Sequence, residues 1–105
     1  MLRWVNYHLA KANSGLTISN FSGSIKDSMA YAHLLKQLAP SSELDVAALA
    51  AETDLLARAT AILATAQTIG CDKFVQPIDI VEGHERLNLA FVANLFNNYV
   101  SDLVL

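Results

Sequence analysis

The chain has 105 residues, ten acidic against seven basic, for a formal charge of −3. Apolar residues make up 53% and charged residues 16%, below the ~25% charged that is usual in soluble domains. This composition supplies one real core, excludes disorder, and argues against general nucleic-acid binding, which rests on a basic excess.

One cysteine excludes an internal disulfide framework and a cysteine-rich zinc site. Every apolar run breaks well short of the about 18 residues a membrane span needs, so no membrane partner is expected. No linker or repeat divides the chain, which reads as one domain over residues 1–105. The two prolines and four glycines all fall between periodic segments, where turns belong.

The first helix is expected over Leu2–Ala12, with Leu2, Val5, Leu9 and Ala12 on its apolar stripe. Asn13-Ser14-Gly15 ends it, with glycine available for a left-handed cap. Leu16 to Ile25 reads as irregular, with Leu16, Ile18, Phe21 and Ile25 turned inward; a short strand here would lack partners. A second helix follows over Asp27–Leu38, capped by Asp27 or Ser28, with Tyr31, Leu34, Leu35 and Leu38 on its inner face. Ala39-Pro40 stops it. Leu44–Ala51 reads as a short helical segment.

The clearest periodicity runs from Thr53 or Asp54 to Ile69, through Leu55, Ala59, Ile62, Ala66 and Ile69, with Gly70 as terminator. Pro77 suits the first position of a further single turn. The last helix is expected over Glu85–Tyr99, with Leu87, Ala90, Phe91, Asn94 and Leu95 inward. The prediction is therefore an all-α fold of four main helices and one or two short ones.

Enzyme chemistry is hard to find. There is no glycine-rich phosphate cradle and no nucleophile elbow. His8, His33 and His84 show no zinc-ligand spacing, and the zincin-like His84-Glu85 is followed by asparagine at position 88. Cys71 sits after a helix C-terminus, where the dipole disfavours a thiolate, and reads as a core residue. Asp79 and Glu82 read as a solvated helix face. A small helical enzyme using Cys71 or His84 would lack a base, an oxyanion donor and a cofactor. No catalytic, cofactor or metal site is expected.

Binding chemistry concentrates on the first helix. Arg3, Tyr7, Ala10 and Lys11 lie opposite the Leu2/Val5/Leu9 stripe, grouping two cations with an aromatic. Arg and Tyr are favoured interface anchors. From pattern alone, an ordinary solvated face remains the leading reading of this group.

Several blocks then carry a resemblance. They are Leu2-Arg3-Trp4-Val5-Asn6-Tyr7-His8-Leu9; Ile18-Ser19-Asn20-Phe21-Ser22; Ile25-Lys26-Asp27-Ser28; Ile69-Gly70-Cys71 with Phe74-Val75 and Pro77; and Leu87 through Asn97. Together they resemble the calponin-homology domains of fimbrins, also called plastins, and within them the second such domain of the first actin-binding region. The sequence departs from that pattern at Ala32, in the short alanine-rich stretch Ser41–Glu52, and at His84-Glu85-Arg86. It opens inside the first helix, as a domain excised from a longer cross-linker would.

The resemblance implies a calponin-homology fold and a non-enzymatic, cytoplasmic module of the actin cytoskeleton. Its implied partners are actin filaments and a preceding calponin-homology domain, with weak binding when isolated. By position, Arg3, Tyr7 and Lys11 become the candidate actin-binding residues. Trp4, Val5 and Leu9 are expected in the core, and Asn6 is expected to bond loop backbone. Two alternatives stand beside this reading. One is a structural or regulatory brace for the neighbouring domain. The other is a non-actin protein partner such as tubulin, against which the acidic balance argues.

Overall fold

The computed structural model describes residues 1–99. Four long helices carry the fold: α1 (Leu2–Lys11), α2 (Met29–Leu38), α4 (Leu55–Thr68) and α6 (Glu85–Tyr99). Two short ones, α3 (Val46–Ala51) and α5 (Pro77–Glu82), and a 3₁₀ turn at Gly23–Ile25 complete it. No strand occurs among the described residues, so the irregular stretch before α2 holds only the 3₁₀ turn. The all-α expectation of four main helices and one or two short ones is met.

Helix α2 is central and packs against α1, α3 and α4, while α5 packs against both α4 and α6. Its Tyr31, Leu34 and Leu35 are fully buried, and Leu38 joins them in part. From α1 come Val5 and Leu9, from α4 Ala59, Ile62 and Ala66, and from α6 Phe91, Val92 and Leu95. Each large apolar side chain taken fully out of water contributes about 1.5–3 kcal/mol before entropy is counted. Tyr31 meets Phe91 edge to face at 5.1 Å, tying α2 to α6.

The helix ends follow local chemistry. Asp45 and Asp54 accept from the backbone of Ala48 and Leu56, capping α3 and α4. Gly70 takes φ +71° after α4, and Cys71 N–H reaches back to Ala66 O at 2.9 Å, closing the helix as predicted. At the end of α1, Asn13 is the first left-handed residue, at φ +55°, and Gly15 is left-handed two residues further on, at φ +73°. Ser14 N–H donates to Leu9 O from beyond Asn13, and asparagine tolerates this conformation. At α2 the capping work is divided. Asp27 Oδ1 accepts from Met29 N–H, while Ser28 occupies the cap position at φ +65° with its buried hydroxyl unpartnered.

Three positions expected inside lie outside. Leu16, Leu55 and Leu87 are exposed. In α6 the buried stripe is rotated toward Asn88, Phe91, Val92 and Leu95. Asn88 is fully buried because its amide is saturated. It accepts from Tyr31 O–H at 2.8 Å and donates to Asp79 O and His84 O at 3.1 and 2.8 Å. Burial raises the Tyr31 phenol pKa far above its ordinary value, so the hydroxyl stays a donor.

Cys71 is buried, and burial, followed by the Asp72 charge, raises its pKa; a thiol kept neutral in the core fits its expected packing role. Asp79 is no free surface acid, because its Oδ2 accepts from Gln76 N–H at 2.8 Å and caps α5. Glu82 pairs with His84 at 3.0 Å.

Candidate protein-binding face on the first helix

Helix α1 is held by its inner side. Val5 and Leu9 are fully buried, and Asn6 forms a two-bond clamp with the loop. Asn6 Nδ2 donates to Ile18 O at 2.9 Å, and Asn6 Oδ1 accepts from Ile18 N–H at 2.8 Å. This is the loop-backbone role expected of Asn6. A side-chain amide that mimics a strand partner satisfies both polar groups of a buried residue outside any regular element. Trp4 is half-buried and contacts His8 and Phe96 edge-on at 5.1 and 5.3 Å.

The opposite side is open. Arg3 and Lys11 are exposed, and Tyr7 is 57% exposed. The Lys11 ammonium lies 5.8 Å from the centre of the Tyr7 ring, within cation–π range. Spacings of four along a helix put the three side chains on one face. The structure thus brings Arg3, Tyr7 and Lys11 together as a basic, aromatic patch on an otherwise acidic chain. Such a patch suits an acidic protein surface.

Sequence reasoning gave no functional role to His8, which lies beneath this patch. Its ring is buried between Trp4 and Tyr7, at 5.1 and 5.2 Å, and its Nδ1 has no partner. Burial, and then the Lys11 charge, lowers its pKa below the ordinary 6.5. Well above pH 6.5 the imidazole is neutral in both folded and unfolded chains. Below it the unfolded chain takes up the proton first, so stability is lost as pH falls toward the lower folded pKa. Thermal melts between about pH 7 and pH 5 should show a falling midpoint, with a shallower slope in His8→Phe. Equal slopes in the two proteins would remove His8 as the cause.

Also missed was Phe74, which stands 60% exposed at φ +81°. A left-handed aromatic is rare, and no local pattern announces one. Among the described residues no group of three or more histidine, cysteine or carboxylate side chains is placed to hold a metal ion. No described helix is long and apolar enough to cross a membrane.

Comparison with known proteins places this geometry. Residues 1–101 match the model of the calponin homology (CH) domain. Human plastin-1 is 54% identical over 105 residues, and Dictyostelium discoideum fimbrin 52% identical over 100, each covering 94% of this chain. The chain spans 16% of the length of each of these two relatives. The solved actin-crosslinking core of Schizosaccharomyces pombe fimbrin superposes with a TM-score of 0.88 at 47% identity, over 93% of this chain and 21% of that one. With its α-helical core, its clamped first helix and these matches along nearly its whole length, the chain belongs to the calponin homology domain family.

Proposed function

We propose that this domain is an actin-filament-binding module of a fimbrin-type actin cross-linker. It acts in tandem with a preceding calponin homology domain, as the second domain of the first actin-binding region. It has no enzymatic role and works in the cytoplasmic actin cytoskeleton. The observation that carries the reading is the exposed Arg3/Tyr7/Lys11 patch on a helix whose other side is locked into the core. High identity to plastins and fimbrins, one of them solved as an actin-crosslinking core, supports actin as the partner.

A patch of three residues supplies little affinity alone. Its contribution is realised when the neighbouring domain raises the effective concentration at the filament. Co-sedimentation with actin filaments tests this. The isolated chain should bind weakly, and less at physiological than at low salt. In the tandem, the combined change Arg3→Glu, Tyr7→Ala and Lys11→Glu should weaken binding by about tenfold or more, since charge reversal at a rim adds repulsion. Unchanged binding would make the domain a brace for its neighbour. Capture of tubulin without actin would replace the partner.

A further inference from the structure

A second surface, sharing no residue with the α1 patch, lies between α3 and α4. It is an open groove of about 680 Å³. Its floor is built from Ala48 and Leu49 of α3 and Ala57, Ala61 and Ala64 of α4. Its rim carries Glu43, Asp45 and Glu52, with no lysine or arginine among the lining residues. Helix α2, which packs on α1, α3 and α4, separates this groove from the α1 patch.

Three features make this groove a docking surface of defined character. First, the α4 side of the floor is alanine, so an incoming helix can approach the α4 backbone closely. Second, the walls are held. Arg58 of α4 donates to Glu52 O, Ala50 O and Asp27 O at 2.6, 3.0 and 3.2 Å, fastening α3 to α4 and to the approach of α2. Lys36 Nζ donates to Ser42 O at 2.8 Å at the groove's entrance. The two nearby cations are thus committed to backbone carbonyls. Third, the rim carboxylates keep capacity. Asp45 accepts from Ala48 N–H and Glu52 from Asp54 N–H, leaving lone pairs on each, and Glu43 has no hydrogen-bond partner among the described residues. One side of the groove is formed by Ser41–Glu52, where the sequence departs from the fimbrin pattern.

We infer that the α3–α4 groove binds an amphipathic helix of a partner protein, its apolar stripe on the alanine floor and its lysine and arginine residues against Glu43, Asp45 and Glu52. Charge complementarity selects this occupant. An acidic or neutral helix would leave three carboxylates facing like charge or nothing.

The probe is a fluorescent peptide of about 18 residues, long enough to run the length of α4, with leucines at helical spacing flanked by lysine and arginine. Its partner control replaces every lysine and arginine with glutamate. Anisotropy should show binding of the basic peptide and none of the control. Amide shifts in NMR should map to residues 41–52 and 57–68. Ala64→Arg places a long cation on an exposed floor position, and Glu43→Lys reverses an exposed rim charge; both variants should melt like the parent. Each should weaken the peptide by about tenfold, and the Glu43→Lys loss should shrink in salt. Any of four results overturns the inference: no binding by the parent chain, equal binding of the control peptide, undiminished binding to either variant, or shifts mapped to α1. A concentration-dependent dimer broken by Ala64→Arg would assign the groove to a second copy and overturn it too.

Discussion

Asn88→Leu is expected to lower the unfolding free energy by about 2–4 kcal/mol, because the change strands the buried Tyr31 hydroxyl and removes two further side-chain hydrogen bonds. Tyr31 O–H loses its acceptor, while Asp79 O and His84 O lose a side-chain donor but keep the backbone N–H groups of His84 and Asn88, each at 3.0 Å. Leucine matches the volume but answers none of these groups. Tyr31→Phe is the informative companion. It removes one bond and leaves one orphan acceptor, so about 1–2 kcal/mol is expected. The pair of substitutions should be strongly non-additive, since both break the same bond. Urea melts of the two single variants and the double variant check this. A loss near 1 kcal/mol for Asn88→Leu would mean that water or a shifted side chain replaces the amide.

Gly83→Ala should cost about 2–4 kcal/mol, with left-handed strain and a steric clash acting together. Gly83 has φ +68° at the end of α5. A Cβ there would stand 2.8 Å from Lys26 Cε and 3.0 Å from Ser22 O. The lysine can swing away, but the Ser22 backbone belongs to the turn that presents buried Phe21 and Ile25 and cannot retreat freely. Gly70 provides the control. Its φ is +71°, yet nothing lies within 4 Å of its would-be Cβ. Gly70→Ala should therefore show the backbone strain alone, about 1–2 kcal/mol. Equal losses at the two positions would show that the close approach at Gly83 carries no energy. Thermal or urea unfolding of the two variants decides it.

Much of the fold was legible in the sequence, and the limits have physical causes. Helix boundaries were readable because caps and terminators act within a few residues: Asp54, Gly70 and Pro77 do what local chemistry requires. Asn6 was readable as a loop-bonding residue once its place among Val5 and Leu9 put it near the core. The rotation of α6 was not. Periodicity favours Leu87 for the inner face, and the acceptor oxygen of Asn88 finds its partner in a hydroxyl 57 residues away. The exposure of Leu55 follows from its place in the first turn of α4, where the helix starts beyond the core. Gly15 looked like the cap of α1 because glycine pays least for a left-handed backbone, yet Asn13 lies at the required position. As for the site, the grouping of Arg3, Tyr7 and Lys11 was legible from spacing alone. The buried His8 under them and the α3–α4 groove were not, since both depend on how separate elements close on one another.

The Asn6 clamp has a consequence for reading inherited variation. A helix turns about 100° per residue, so small rotations swing a surface triplet well away from its target. Two bonds to Ile18 set the rotational phase of α1, and with it the direction in which Arg3, Tyr7 and Lys11 point. A harmful allele at Asn6 would mimic damage to the patch while altering no atom of it, whereas Ile18 takes part through its backbone alone. Geneticists mapping such alleles onto the proposed contact surface would draw it one layer too deep, counting as recognition what is really the aiming of a helix.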